Sequence, residues 1–201
     1  MSMIAPEEAW RNAYRHPGPW DMRFPPLSLV DLFEESARRC GDRPLIDFMG
    51  RHYSYAETLD GANRVACGLR KLGYGAGDRI GLFLPNVPHY VAAYYGILKL
   101  GATVVNFSPL YTVEELAHQV EDSGTRVLFT LSASALLPTA LKVLDGSRLE
   151  RLVVGSVAGA LPTAKSLFYR LFRGSEVAKR PDDPRIISFS KLIANDGECP
   201  T

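Results

Sequence analysis

Few residues in this chain could do chemistry, and their spacing argues that they do not do it together. Gly73-Tyr-Gly75-Ala-Gly77-Asp78 has the outline of a dinucleotide fingerprint. It follows a helical pattern and precedes an apolar run, the reverse of the order that aims a helix N-terminus at a pyrophosphate. The run therefore predicts a helix stop and a tight turn. No Gly-x-x-x-x-Gly-Lys-Ser/Thr phosphate loop and no Gly-x-Ser-x-Gly nucleophile elbow occurs in the sequence. His16, His52, His89 and His118 stand in unrelated settings, none with a second ligand at metal spacing. Glu34-Glu35 and Glu114-Glu115 fall in helix turns, where they read as solvated faces or partners of the helix dipole. Cys40, Cys67 and Cys199 are odd in number and far apart, which argues against a disulfide framework and against a zinc site. A reducing cytoplasm is the expected setting. These 201 residues thus predict no catalytic, cofactor-binding or metal-ligating constellation.

The elements that would position any site are clearer. Residues 1–27 hold five prolines and both tryptophans and predict an irregular arm. Ser28 with Asp31 opens a helix that Gly41 stops. Pro44–Phe48 and Arg51–Ser54, separated by Met49-Gly50, predict a hairpin. Ser54 and Glu57 form a capping box for a helix whose apolar positions Tyr55, Leu59, Ala62, Ala66 and Leu69 recur at helical spacing. Buried strands are predicted at Arg79–Leu84, Ala102–Phe107, Arg126–Leu131 and Arg151–Val154. Between them lie helices over Pro88–Leu100, ended by Gly101; from the Thr112/Glu115 box to Glu121; and from a Ser132 or Ser134 cap to Leu144. Apolar strands alternating with helices predict an α/β fold, a mostly parallel sheet flanked by helices, with a small hairpin and the N-terminal arm. The expected division is an arm over 1–27, an α/β subdomain over 28–160, and an amphipathic basic segment and connector over 161–201.

Composition excludes some classes. A net charge of +1 gives no footprint for nucleic acid. The longest apolar stretch, Val91–Phe107, is interrupted by Lys99 and falls short of the ~20 apolar residues of a membrane span. In Pro162–Gly174, Ala164, Leu167, Phe168, Leu171 and Phe172 share one helical face, with Lys165, Arg170 and Arg173 beside or opposite it. That face either packs on the protein's own core or contacts an anionic membrane.

Several segments carry a resemblance. Ser28-Leu-Val-Asp-Leu-Phe-Glu-Glu-Ser36 resembles the opening helix of bacterial long-chain fatty acyl-CoA ligases. Tyr53-Ser-Tyr-Ala-Glu-Thr-Leu59 resembles the Thr-Tyr-x-Glu-Leu segment of the wider adenylate-forming, AMP-binding superfamily. Gly77-Asp-Arg-Ile-Gly-Leu-Phe-Leu-Pro-Asn86 is similar to that superfamily's first core strand. Gly96-Ile-Leu-Lys-Leu-Gly-Ala-Thr-Val-Val-Asn-Phe-Ser-Pro-Leu-Tyr111 is the most specific, followed by Glu114-Glu-Leu and Asp122-Ser-Gly124. The fatty acyl ligases usually carry Asn where this chain has Ser108, and both residues suit a turn.

The resemblance implies a fragment of the large N-terminal domain of an acyl-CoA synthetase, a ligase of lipid metabolism. Its full-length parent would use ATP, Mg2+ and CoA to convert a fatty acid through acyl-AMP to acyl-CoA, releasing pyrophosphate and AMP. The phosphate loop and catalytic motifs of that family lie beyond Thr201, so no catalytic residue carries over and the fragment alone is expected to be inactive, with no cofactor. Asn106, Ser108 and Tyr111 follow a predicted strand and are the substrate-facing expectations, because ligands gather at the carboxyl ends of parallel strands. A fatty acid, an anionic membrane surface and a homodimer are the expected partners, with the protein cytoplasmic or peripheral to the membrane. The alternatives are an aryl or short-chain acid adenylating ligase and a non-catalytic binding or assembly module.

Overall fold

The computed structural model describes Trp10, residues 13–162, Lys165, Ser166 and residues 177–199. Local hydrogen bonding starts three of its helices. In α1 (Leu29–Cys40), the Ser28 hydroxyl accepts from the Asp31 amide at 3.0 Å and the Asp31 carboxylate accepts from the Ser28 amide at 3.2 Å. The same reciprocal box opens α2 (Tyr55–Lys71) through Ser54 and Glu57. It also opens α4 (Val113–Ser123) through Thr112 and Glu115. Each box satisfies two of the amide donors that a helix start leaves unpaired. Between α1 and α2, β1 (Pro44–Phe48) and β2 (Arg51–Ser54) form the expected antiparallel hairpin.

The remaining strands are β3 (Arg79–Leu82), β4 (Thr103–Asn106), β5 (Val127–Leu131), β6 (Arg151–Gly155) and β7 (Ile186–Ser188). They form one parallel sheet in the order β4-β3-β5-β6-β7. This is a doubly wound topology in which the chain reverses direction across the sheet beside β3, and such crevices receive ligands at the carboxyl strand ends. α1, α2 and α3 (Pro88–Lys99) pack as one group, while α4 packs with α5 (Leu137–Gly146). β5 is buried at every position, as a central parallel strand covered on both faces requires.

α3 ends at Gly101, whose φ of 77° is left-handed. A β-branched side chain there costs roughly 1 kcal/mol or more. Gly101→Val is expected to lower the melting temperature by about 2–4 °C in a chain of this size. An unchanged melting temperature would show that α3 does not depend on this turn.

Two expectations are corrected, and a segment for which no element was predicted proves to hold some. Neither Ser132 nor Ser134 caps α5, which begins at Leu137 with Leu136 as N-cap and no side-chain bond to it. Ser132 instead extends the β5–β6 pairing, its amide donating to the Gly155 carbonyl at 2.8 Å. The weakly patterned segment beyond Gly155 supplies the short α6 (Val157–Ala160), a fifth strand, β7, and α7 (Phe189–Leu192). The spread-out cysteines are not all unpaired: Cys67 and Cys199, 132 residues apart, are joined by a disulfide, leaving Cys40 free. Distance along the sequence gave the wrong answer because the chain after α7 folds back against α2. Among the described residues, no helix is long and apolar enough to cross a membrane.

Candidate functional site

At the carboxyl ends of β6 and β7 lies a cavity of about 560 Å³. Five segments build it. The hairpin contributes Ile46, Arg51 and Tyr53, and α2 contributes Glu57, Asp60, Gly61 and Arg64. The start of α3 contributes Pro88, His89 and Ala92; the β6 end and α6 contribute Val154, Ser156 and Gly159; and Ser188, Phe189, Ser190 and Ile193 close the wall.

Its cations are already engaged. The Arg51 guanidinium donates to the Gly159 carbonyl at 3.1 Å and sits 4.4 Å over the Tyr53 ring. The Tyr53 hydroxyl donates to the Ala160 carbonyl at 2.8 Å, and burial pushes its pKa up. Arg64 donates to Asp60 at 2.7 Å and to the Asn195 carbonyl. These bonds pin the hairpin to α6 and α2 to the strap beyond α7.

His89 is the exception. Its Nδ1 is buried with no hydrogen-bond partner. Its ring meets Phe189 edge-on, with centroids 4.7 Å apart. A Cβ on Gly155 would lie 3.0 Å from Leu131 Cδ2 and 3.1 Å from His89 Cδ2, so glycine there lets the ring pack closely against the end of β6. Burial lowers the His89 pKa to about 4, which keeps the ring neutral at pH 7. Of the serines of the wall, Ser156 caps α6, Ser188 caps α7, and the Ser190 hydroxyl donates to Ser188 Oγ at 3.2 Å. His89 Nδ1 bonds to no hydroxyl, so the described residues present no hydrogen-bonded nucleophile–base pair through that atom. Among the described residues, no cluster of three or more His, Cys, Asp or Glu could hold a metal.

The sequence-predicted positions lie elsewhere. Asn106 ends the edge strand β4, and its Oδ1 accepts from the Tyr90 hydroxyl at 2.9 Å. The Ser108 hydroxyl accepts from the Leu110 amide at 3.3 Å, and Tyr111 packs half-buried against the core. The three share one loop but do not line the cavity. Of the membrane-contact expectations, Lys165 donates to the Met49 carbonyl at 2.7 Å. Leu167, Phe168, Arg170, Leu171, Phe172 and Arg173 lie outside the described residues. His89 carried one usable signal in the sequence: it follows Pro88 at a helix start, just after a buried strand.

Known proteins share this sequence and this architecture. The family model described as AMP-binding enzyme matches residues 33–190. A long-chain-fatty-acid–CoA ligase of Bacillus subtilis is 33% identical over 171 residues, covering 85% of this chain and 30% of that protein. A probable 4-coumarate–CoA ligase of Dictyostelium discoideum is 32% identical over 149 residues, covering 74% of this chain and 25% of that protein. The crystal structure of a coronafacic acid ligase from Pectobacterium brasiliense superposes with a TM-score of 0.68 over 86% of this chain and 30% of that one, at 16% identity, a likeness of fold. The chain thus spans about 30% of the length of the Bacillus relative it matches.

Proposed function

The chain belongs to the AMP-binding enzyme family, and we propose that it is the N-terminal portion of an ATP-dependent fatty acid–CoA ligase. The observation that carries this reading is 33% identity over 171 residues, 85% of this chain, to a long-chain-fatty-acid–CoA ligase. In the proposed reaction the fatty acid carboxylate attacks the α-phosphorus of ATP and displaces pyrophosphate. The CoA thiol then displaces AMP from the acyl-adenylate. ATP, Mg2+, CoA and a fatty acid are accordingly proposed as cofactors and substrate of the whole protein. A second reading, an aryl acid–CoA ligase, is favoured by the 32% identity to the probable 4-coumarate–CoA ligase, over a shorter stretch.

The residues lining this cavity do not fit a triphosphate. Such an anion needs convergent amides, free cations or metal ligands. In the cavity, Arg51 and Arg64 are tied to carbonyl oxygens and to Asp60, and Glu57 and Asp60 add negative charge. No chemical step of the proposed reaction is assigned to this cavity.

The test has two arms. The 201-residue chain, mixed with ATP, Mg2+, CoA and a panel of fatty acids, is expected to release pyrophosphate no faster than a blank, and calorimetric titration with ATP to show no saturable site at micromolar concentrations. The coding DNA is then read past the Thr201 codon and its whole product assayed. Pyrophosphate release that depends on a medium or long fatty acid is the expected result. Release that depends only on aryl acids would establish the second reading, and a stop codon at that point would overturn both.

A further inference from the structure

The segment that follows β7 is laid along α2, and several independent contacts hold it there. Gly68 gives it room: a Cβ on that residue would lie 2.3 Å from the Leu192 carbonyl oxygen and 2.8 Å from the Leu192 side chain. One turn earlier, Arg64 and Asn195 bond reciprocally. The Arg64 guanidinium donates to the Asn195 carbonyl, and Asn195 Nδ2 donates to the Arg64 carbonyl at 3.0 Å and to the Leu192 carbonyl at 2.9 Å. Gly197, at φ 78°, turns the chain against α2, where a Cβ would stand 3.3 Å from Asn63 Cβ and 3.4 Å from Arg64 Cγ. The strap ends at Cys199, bonded to Cys67 of α2 with Cα atoms 5.5 Å apart, inside the range a disulfide spans.

The two elements that this bond joins are also walls of the cavity. α2 supplies Asp60, Gly61 and Arg64, and the strap supplies Phe189, Ser190 and Ile193. Cys67 is 1% exposed, whereas Cys199 is partly exposed. The remaining thiol, Cys40, is half-exposed and unpaired. A leftover accessible thiol is a liability where thiols are permanently oxidised. It suits a setting in which thiols are mostly reduced, and protein disulfides there are transient and redox-sensing.

We propose that Cys67 and Cys199 are a reversible thiol–disulfide modification site that locks the 189–199 strap onto α2 and fixes that wall of the cavity. The oxidant is a low-molecular-weight disulfide such as oxidised glutathione. The accessible Cys199 thiolate attacks one glutathione sulfur, breaking that S–S bond and releasing one glutathione thiolate. The Cys67 thiolate then attacks the Cys199 sulfur of the mixed disulfide, and the second glutathione thiolate leaves. Two protein thiols are oxidised, one small disulfide is reduced to two thiols, and the two protons lost by the cysteines pass to the released glutathione. Because the bond closes a span of 132 residues, oxidation restricts the unfolded chain far more than the folded one.

The experiment equilibrates the purified 201-residue chain in glutathione buffers from fully reduced to fully oxidised, then counts free thiols with a heavy maleimide and maps the bond by peptide mass. Three reactive thiols are expected at the reduced end and one, Cys40, at the oxidised end. Oxidation is expected to raise the melting temperature by about 10 °C. It is also expected to slow amide exchange at residues 189–197 at least tenfold. Cys199→Ser, at the accessible site, is expected to abolish both responses, and Cys40→Ser neither. Three reactive thiols at every ratio, a bond through Cys40, or an undiminished response in Cys199→Ser would each overturn the site. A bond that forms without slowing exchange at 189–197 would overturn the lock.

Discussion

Replacing Gly96 by valine is expected to destabilise the fold by about 3 kcal/mol, the upper end of ordinary overpacking. α2 and α3 approach each other on small residues. A Cβ on Gly61 would touch Ala92 at 3.4 Å, while one on Gly96 would lie 2.7 Å from the Ala62 carbonyl oxygen and 2.7 Å from Val65 Cβ and Cγ1. Ala62 and Val65 are fully buried, and the obstructing oxygen is backbone, so neither can swing aside. The added side chain therefore has to push the two helices apart. Better helix propensity returns well under 1 kcal/mol, so the clash decides the sign. A domain holds only about 5–15 kcal/mol in total. Urea unfolding is expected to show a lower midpoint for Gly96→Val and a smaller drop, in the same direction, for Gly96→Ala. A native midpoint in the valine variant would mean that the helices do not pack as closely as described.

What could be read from the sequence was what short-range physics decides. Ser28/Asp31, Ser54/Glu57 and Thr112/Glu115 are capping boxes because three residues of spacing suffice to make both bonds. β5 was legible because a central strand needs an unbroken apolar run, and Val127–Leu131 is one. β7 was not legible. Three residues between charged and polar neighbours become a strand only through pairing with β6, whose residues lie some thirty positions earlier. α5 misled for a related reason: Ser132 looks like a cap in isolation, but its amide is claimed by Gly155 across the sheet. The cavity failed to announce itself because its walls come from five segments, each ordinary in its local sequence. Asn106, Ser108 and Tyr111 were chosen by the rule that ligands gather at carboxyl strand ends. These residues end or follow the edge strand β4, whereas the cavity lies toward β6 and β7 at the other side of the sheet. Cys67 and Cys199 are brought together by the strap along α2, which no spacing encodes.

The cavity's buried histidine should make the fold acid-sensitive. His89 is held at a pKa of about 4 by burial, against 6.5 in an unfolded chain. Above pH 6.5 the ring is neutral in both states and contributes no pH dependence. Below 6.5 the unfolded chain takes up a proton that the folded chain resists, so stability falls with falling pH until the folded pKa is passed. The loss from this one group reaches roughly 3 kcal/mol near pH 4. Glu57 and Asp60 line the same cavity in native and variant proteins alike, so a variant isolates the histidine. His89→Phe keeps an aromatic ring against Phe189 and removes the titration. Urea midpoints measured from pH 7.5 to 4.5 are expected to fall more steeply for the native chain, with the two curves diverging below pH 6.5. The slope is the informative quantity, because the substitution itself shifts stability at neutral pH by an amount set by packing against Gly155. Parallel curves would show that His89 is solvated or paired in the folded chain. Among the described residues, the cavity wall would then no longer hold an unpartnered buried ring nitrogen.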